Sequence, residues 1–361
     1  MEQKEYKASI YNYWKGKKLF NDYTDSLIVT TPQMREVFAL VQGNKNIPEE
    51  LMPIFEELLE NRIFVGKEIE EEAHYHILKA DIDVNTHCNA SCVYCPQSTD
   101  PRPKDIMPLE RYKNIVDKIK AQPLKWVALH IYGEPLLDTF YKERVRYLTE
   151  NGLKLYFFTN ATLLSKELID FLSEMALYGA MFNFPSVEKE EWKKFTRLRD
   201  KQFEQAKEGI EYFISKFNKR LDRLEIVVNG NSENHAQRTE DVYKHFSRFG
   251  EIIVNGWESN SRAGNLSNNY VNSVFHDDKA SFRGCGRVVN QLHINIDGDA
   301  ILCCQDYFQK IKLGNILTDT IDDIMNSDRM TTYRRQVYGL EEMPIDFLCR
   351  SCTMIRKYKE E

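Results

Sequence analysis

The stretch Cys88-Asn89-Ala90-Ser91-Cys92-Val93-Tyr94-Cys95 decides the fold class of this chain. It places three cysteines in the spacing C-x3-C-x2-C, directly after an apolar segment that predicts a β-strand. Three thiolates can hold three irons of a cubane iron–sulfur cluster and leave the fourth iron open. An open metal position accepts a substrate or cofactor as its last ligand. The spacing therefore predicts a cluster-binding loop at the carboxyl end of a strand.

The chain contains eight cysteines, which fall into two groups. The second group lies in the last quarter of the chain and consists of Cys285, Cys303, Cys304, Cys349 and Cys352. A secreted protein stabilised by disulfides would be shorter, and its cysteines would be spread more evenly along the chain. Two clusters with short internal spacings instead indicate metal or redox chemistry, and buried structural cysteines are the plainer alternative. For the second group, spacing alone leaves zinc and iron–sulfur ligation equally open.

Composition narrows the class further. A length of 361 residues allows two or three domains, and hydrophobic residues at 42% supply a sizeable core, which excludes a disordered chain. Apolar runs fall short of a membrane span and the N-terminus lacks the apolar core of a signal peptide, so we expect a cytoplasmic protein without a membrane partner. A net charge of −6 offers no basic face for nucleic acid.

Strands and helices alternate from residue 77 onward, after a preceding region with short strands and two helices. The predicted strands are Leu78 to Val84, Trp126 to Ile131, Leu153 to Phe158, Ala180 to Phe184, Leu224 to Val228 and Glu251 to Val254. Alternation of this kind predicts parallel βαβ units and a barrel-like sheet, with reactive groups at the carboxyl ends of the strands. We expect an N-terminal α+β module over 1–75, a barrel over 76–265 and a C-terminal segment over 266–361, with a linker rich in Asn and Ser at 259–280.

Three segments at successive strand ends resemble the radical S-adenosylmethionine (SAM) superfamily. Cys88, Cys92 and Cys95 with Tyr94 resemble its signature loop. The segment 132–135, Tyr-Gly-Glu-Pro, resembles its GGEP motif with tyrosine in place of the first glycine, and 159–164, Thr-Asn-Ala-Thr-Leu-Leu, resembles its TNGTLL segment. The resemblance covers about residues 78–260 and implies an α/β fold, namely a partial (β/α)6 barrel of the TIM type.

The resemblance also implies the chemistry. A [4Fe–4S] cluster on the first three cysteines would bind SAM at its open iron, and one electron would release a 5′-deoxyadenosyl radical that removes a hydrogen atom from substrate. Glu134 and the turn at Gly133 would accept hydrogen bonds from the SAM ammonium. The remaining implied SAM contacts are Tyr94, Asn160, Asn183, Val228 with Asn229, and either Arg197 or Arg199 at the SAM carboxylate.

The C-terminal segment resembles the cluster-binding extension called SPASM, in its shorter form called twitch. Alternating apolar residues around Asp297-Gly298 predict a β-hairpin, and Cys349-Arg350-Ser351-Cys352 closes the pattern. The resemblance implies one auxiliary [4Fe–4S] cluster, held by Cys285, Cys303, Cys349 and Cys352. Cys304 is left over, as a buried small residue or as a hydrogen-atom donor to a substrate radical. Asp306 is either a turn residue or a substrate base. Residues after the fifth and sixth strands, including Trp257, Glu258 and Arg262, are candidates for orienting the substrate.

Residues 9–66 resemble the PqqD-like module, a recognition element for ribosomally made peptides, and a plain N-terminal cap is the alternative. The module implies a peptide substrate with a leader sequence, modified by crosslinking, thioether formation, epimerisation or oxidation. Similar twitch enzymes instead oxidise small alcohols such as aminocyclitols, which is the second hypothesis for this protein. The third hypothesis is a zinc-stabilised binding protein that carries out no radical chemistry. Radical chemistry further implies an electron donor such as flavodoxin or ferredoxin.

Overall fold

A nine-stranded sheet organises the chain in the computed structural model, which describes residues 5–271 and 282–357. Its six barrel strands are β6 (Lys79–Ile82), β7 (Trp126–Ala128), β8 (Leu155–Thr159), β9 (Leu177–Asn183), β10 (Arg223–Asn229) and β11 (Ile253–Trp257). Three C-terminal strands extend it: β12 (Gln291–Ile294), β13 (Asp299–Ile301) and β14 (Lys312–Asn315). The spatial order is β11-β10-β9-β8-β7-β6-β12-β13-β14. The barrel strands are parallel throughout, which confirms the α/β class.

Alternation along the strands separates a helix-facing layer from a lumen. On β6, Ala80 and Ile82 belong to the main apolar core, whereas Asp81 between them lines the interior cavity. On β10, Val228 belongs to that core, whereas Val227 and Asn229 line the cavity. This follows from the two-residue period of a strand. Chemistry-bearing residues therefore alternate with packing residues.

Helices cover the outer face of the barrel strands. They are α3 (Leu109–Ile119), α4 (Tyr141–Glu150), α5 (Lys166–Leu172), α6 (Lys189–Thr196), α7 (Asp200–Phe217) and α8 (His235–Phe246). Five of them lie close to the helical patterns that the sequence predicts at 109–121, 142–150, 166–175, 203–217 and 239–249, and α6 is an addition. Its sequence, Lys-Glu-Glu-Trp-Lys-Lys-Phe-Thr, is mostly charged, so its apolar face rests on Trp192 and Phe195. None of the helices in the described part of the chain is long and apolar enough to cross a bilayer.

The N-terminal region has its own small core. Its strands are β1 (Tyr6–Ala8), β2 (Asn12–Lys15), β3 (Lys18–Asn21), β4 (Ser26–Val29) and β5 (Phe64–Gly66), and its helices are α1 (Pro32–Gln42) and α2 (Met52–Glu60). Strands β2, β3 and β4 form one antiparallel sheet, in which β4 is an edge. Leu19, Val37, Phe55 and Leu58 are among the residues that close the core. The boundary at residue 75 stays a prediction.

The turn between β3 and β4 ties this region to the rest of the chain. The backbone carbonyl of Asp22 accepts a hydrogen bond from the Asn290 side chain at 2.6 Å. The Asp22 carboxylate accepts one from the Tyr338 hydroxyl and forms an ion pair with Arg356. Asp25 pairs with Lys79 at 2.5 Å and Lys125 at 3.1 Å. Lys79 begins β6 and Lys125 precedes β7, so Asp25 lies at the amino-terminal end of the barrel.

The C-terminal segment continues the barrel sheet, an arrangement that its sequence does not reveal. Strand β12 pairs in parallel with β6, in the register Gln291 with Lys79. It then turns at Gly298, whose φ of +89° suits glycine, and pairs antiparallel with β13. The predicted hairpin is confirmed. The helices of this segment are α9 (Arg287–Asn290), α10 (Ile321–Met325) and α11 (Asp328–Val337). The predicted linker at 259–280 lies partly outside the described residues.

Candidate functional site

The barrel encloses one cavity of about 530 Å³ that runs along its strands. At the carboxyl ends of the strands the wall includes the first three cysteines. At the amino ends it includes Lys79, Trp126, Tyr178 and Arg223, together with Asp25 from the N-terminal region. Cavities of this size accommodate small molecules or single side chains of a larger ligand. The cavity therefore joins the predicted cluster loop to the floor of the barrel.

The first cysteine loop is held from both sides. The backbone N–H groups of Ser91 and Val93 donate to the carbonyls of Thr196 and Phe195, at 3.1 and 2.9 Å, so the end of α6 supports the loop. Cys88, Cys92 and Cys95 all line the cavity. Burial raises the pKa of the Cys88 thiol to about 12 and raises the pKa of the other two. Thiolates at such positions require a cation to stabilise them, and metal coordination does this.

Glu134 is a buried carboxylate on the loop after β7. It accepts hydrogen bonds from the Thr159 hydroxyl at 2.6 Å and from the Asn160 backbone N–H at 2.8 Å. Burial raises its pKa to about 7. The preceding Gly133 packs so closely on Asn85 that an added Cβ would collide with the Asn85 backbone and side chain. These contacts fix the loop and aim a carboxylate into the cavity.

A chain of polar side chains crosses the strand ends beside this loop. The Asn183 side-chain amide donates from Nδ2 to the Tyr94 hydroxyl at 2.7 Å. The Asn229 side-chain amide in turn donates to Asn183 Oδ1 at 2.9 Å. The Asn160 amide donates to Asn89 at 2.8 Å within the cysteine loop. The structure brings all these residues except Asn89 into the cavity wall.

Four predicted residues lie elsewhere. Val228 packs in the core, because strand alternation turns it away from the lumen and gives Val227 and Asn229 the wall positions. Arg197 is exposed at the end of α6, in a left-handed conformation, and lies outside the cavity lining, as does Arg199. Asp306 also lies outside it and accepts the backbone N–H groups of residues 310 and 311, at 3.1 and 2.7 Å. Of its two predicted roles, the geometry favours the turn residue.

The second cysteine group gathers beside the same cavity. Burial is the main cause that raises the pKa of Cys303, Cys349 and Cys352, and neighbouring thiols raise it further. The thiols of Cys285, Cys303 and Cys352 all act electrostatically on Cys349, so the four thiols lie near one another, and we call them the four-cysteine pocket. Cys304 differs from these four because it lines the main cavity. This geometry favours Cys304 as the unligated member of the group.

The cavity wall also includes His130, Arg287 and Gln305, which the sequence analysis did not propose as site residues. His130 follows the lumen face of β7 two residues after Ala128, so alternation alone would have found it. Trp257 and Arg262, candidates because they follow the sixth strand, both line the cavity, whereas no sequence signal marks Arg287. Tyr132 is the departure from GGEP noted above, and its ring packs edge-on against Tyr307 at 4.8 Å between centroids.

His130 is the cavity's neutral imidazole. Its Nδ1 lies 3.2 Å from the Gly133 carbonyl oxygen, which can only accept, so Nδ1 carries the proton. Burial lowers the His130 pKa, although Asp81 and Asp83 oppose that effect. Nε2 is therefore a basic nitrogen on a ring that lines the cavity.

Comparison with known proteins agrees with this geometry. Residues 82–241 match the Radical SAM superfamily model, and residues 285–353 match SPASM, described as an iron–sulfur cluster-binding domain. Together the two matches cover more than half of the chain. The chain therefore carries a radical SAM domain followed by a SPASM domain, the combination found in the radical SAM/SPASM subgroup. These domains imply SAM and [4Fe–4S] clusters as cofactors.

Two relatives show the range of the subgroup. The S-adenosyl-L-methionine-dependent 2-deoxy-scyllo-inosamine dehydrogenase of Niallia circulans is 23% identical, over 78% of this chain and 94% of its own. The AdoMet-dependent heme synthase of Methanosarcina barkeri is 28% identical over 47% of this chain and 46% of its own.

Solved structures confirm the fold. Streptococcus suis SuiB, bound to precursor peptide SuiA, superposes with a TM-score of 0.59 at 12% identity, over 96% of this chain and 94% of SuiB. BtrN in complex with AdoMet and 2-DOIA gives 0.52 at 19% identity, over 78% of this chain and 94% of BtrN. The likeness to SuiB extends over the N-terminal region, although no family model matches residues 9–66, so the PqqD-like assignment stays a prediction.

The two adjacent cysteines provide a test of the ligand assignment. We expect Cys304→Ala to retain the full iron content of reconstituted protein, because Cys304 faces the cavity. Cys303→Ala should lose about four irons, since a cubane needs its thiolate ligands. Iron and acid-labile sulfide per chain measure both outcomes. Iron loss in the Cys304 variant with retention in the Cys303 variant would reverse the assignment.

Proposed function

We propose that this protein is an oxidoreductase that modifies a peptide substrate by radical SAM chemistry. One observation carries the proposal: a single cavity has the three-cysteine loop at its strand ends and Cys304, beside the four-cysteine pocket, in its wall. When bound, SAM and the reduced cluster supply a 5′-deoxyadenosyl radical, and the auxiliary cluster supplies an electron acceptor. A hydrogen atom removed in this cavity leaves a substrate radical close to that acceptor.

The residues in the wall fit SAM. Cys88, Cys92 and Cys95 would hold the cluster that binds its methionine group. The Glu134 carboxylate, with its lone pairs only partly used by Thr159 and the residue-160 backbone, would accept from the SAM ammonium. The close packing at Gly133 leaves its turn next to the same group.

The nucleoside end has its own partners. Tyr94, Asn183 and Asn229 form a connected row of hydroxyl and amide groups at the ends of β9 and β10. Such groups both donate and accept, as ribose hydroxyls require. This row supports the ribose contact predicted for Asn183 and extends it to Asn229.

Oxidation also requires a proton acceptor. Loss of an electron from a radical next to an O–H, N–H or S–H group releases a proton, and His130 Nε2 is a basic nitrogen in the cavity wall. This assignment suits a net two-electron oxidation or a bond formed with loss of two hydrogens. An epimerisation would need a hydrogen donor instead, and Cys304 in the wall is the candidate.

The N-terminal region supports a peptide as substrate. Strand β4 is the edge of its sheet and exposes Leu27 and Val29, by 48% and 62%. A free edge with exposed apolar side chains suits an added strand from a peptide. SuiB, which shares the fold over nearly the full chain, was crystallised with a precursor peptide. Residues 9–66 would then recognise a leader sequence.

The alternative is a small-alcohol dehydrogenase. It is favoured by the Niallia circulans relative, whose own chain is covered over 94% of its length. That relative aligns with 78% of this chain. A flavodoxin or ferredoxin remains the predicted electron donor for either substrate.

The central test is SAM cleavage by anaerobically reconstituted protein reduced with dithionite. We expect about eight irons per chain and formation of 5′-deoxyadenosine. Replacing all three cysteines of the first loop by alanine should abolish cleavage and remove about half the iron, because the auxiliary ligands stay intact. Continued 5′-deoxyadenosine formation in that variant would show that the radical site is elsewhere.

Glu134 should give SAM binding a pH dependence. Its pKa of about 7 falls when an ammonium binds, so deprotonated protein binds SAM more tightly and affinity rises as the pH increases through 7. Equilibrium dialysis between pH 6 and 8 measures this, with a rise of up to about tenfold per pH unit below the pKa. Glu134→Gln should bind weakly with a flat profile, whereas Glu150→Gln, on the exposed face of α4, should keep the rise. An unchanged profile in the Glu134 variant would exclude the role.

The edge strand makes the peptide proposal testable. Leu27→Lys combined with Val29→Lys should weaken binding of precursor-like peptides encoded beside the gene by about tenfold or more, because both side chains lose apolar contact. SAM cleavage should stay the same. Ile345→Lys, at an equally exposed apolar position in the C-terminal segment, is the matched control. Equal peptide affinity in the wild type, the double variant and the Ile345 variant would show that the N-terminal region only caps the barrel.

A further inference from the structure

One side of the cavity carries hydrogen-bond donors without partners. The Tyr132 hydroxyl and the Nε atoms of Arg262 and Arg287 are buried and find no acceptor among the described residues. All three residues line the cavity. Neither guanidinium forms an ion pair within residues 5–271 and 282–357, although both side chains are half-buried. Tyr132 and Arg262 lie beside the C-terminal extension, because the Tyr132 ring packs on Tyr307 and the Asn265 side chain, which bonds the Arg262 backbone, also bonds the Gln305 carbonyl.

The other cations of the cavity are neutralised. Lys79 pairs with Asp25 at 2.5 Å, and Arg223 pairs with Glu225 at 2.5 Å, both at the amino-terminal end of the barrel. Arg262 and Arg287 are thus the positively charged groups of the cavity wall that lack an ion pair within the described residues.

Arg287 and Arg262 have different surroundings. Arg287 faces the thiols of Cys304, Cys285 and Cys303, so part of its charge offsets the auxiliary thiolates. Arg262 faces Tyr132 and Cys95 and has no comparable set of anions. The positive charge of Arg262 is therefore the one that a ligand can neutralise.

The backbone holds Arg262 in place at a cost. It adopts a left-handed conformation with φ of +50°, which is strained for a residue with a side chain. The Asn265 amide offsets this strain by donating to the Arg262 carbonyl at 2.6 Å and to the Gln305 carbonyl at 2.8 Å. One side chain therefore fixes Arg262 relative to the C-terminal extension that carries Cys304. Such strain occurs at ligand clamps and active sites.

We propose that Arg262 and Tyr132 form a subsite that binds a carboxylate of the substrate between the two clusters. Guanidinium and phenol groups are all donors here, and a carboxylate supplies the matching acceptors. The inference rests on the proposed function and sharpens it. A peptide presents such a group as an aspartate, a glutamate or a C-terminus, whereas an aminocyclitol brings a positive charge that the arginines repel. The carboxylate of SAM is a second source of the same chemistry.

The test uses reconstituted full-length protein and two probes of one shape, N-acetylglycine and its neutral amide. Dithionite makes the clusters paramagnetic, so a bound probe shows enhanced relaxation of its ¹³C carboxyl carbon. S-adenosylhomocysteine, which carries the amino and carboxylate groups of SAM and resists cleavage, saturates the cofactor site. We expect the acid to bind at least about tenfold more tightly than the amide, which is the effect of one charge-assisted bond.

Variants assign the effect to the subsite. Arg262→Gln should lose about tenfold of acid binding, and Arg262→Lys, which keeps the charge, should stay within about threefold of wild type. Arg220→Gln, exposed at the end of α7, is the control. Iron content of each variant verifies its fold.

Two results would overturn the subsite. One is equal affinity of the protein for the acid and the amide. The other is loss of acid binding when S-adenosylhomocysteine is present, which would show that Arg262 binds the carboxylate of SAM. Parallel assay of 5′-deoxyadenosine separates these from failure of the proposed function, because its absence in wild-type protein would refute radical chemistry whatever the probes do.

Discussion

Parallel pairing of β6 on both of its edges is the constraint on which the site depends. On one side it pairs with β7 of the barrel, and on the other with β12 of the C-terminal extension. The loop that follows β6 carries the first cysteines, and the hairpin that begins with β12 carries Cys303 and Cys304. Because both segments extend from neighbouring strands of one sheet, the two cysteine sets are held at a fixed separation. The relative placement of two redox groups is thus a property of backbone hydrogen bonds.

Side-chain contacts reinforce that placement. The Tyr307 hydroxyl, from the extension, donates to Gln97 at 2.7 Å and to the Asp100 carbonyl at 2.5 Å, in the loop after the first cysteines. Its ring packs against Tyr132. A glycine at 132, as in the usual motif, would leave this space unfilled. The substitution therefore has a packing role in joining the two parts, in addition to the donor role proposed for its hydroxyl.

Much of the fold followed from the sequence, because strand periodicity and the motif spacings are local signals. The six barrel strands, the hairpin at Gly298 and the two cysteine groups all depend on residues close together in the chain. The remaining features are long-range. Nothing in the sequence around Gln291 shows that β12 joins β6, and α6 is short, with Trp192 and Phe195 as its only large apolar residues. For the site, motif residues such as Glu134 were found, and Arg262 was a candidate from its place after the sixth strand. The Val228 side chain instead packs in the core through strand alternation. Arg287 was missed because tertiary contacts alone bring it to the wall.

The ties of Asp22 have a consequence for how the protein is made. This residue of the β3–β4 turn bonds with Tyr338, 316 residues further along the chain, and pairs with Arg356. A ribosome that has synthesised the turn must add all of the barrel before those partners emerge. Domains commonly begin to fold during synthesis, starting from the N-terminus. Here the β3–β4 turn can reach its final position only after residue 356 has been synthesised, so its docking reports that Cys349 and Cys352 are already present.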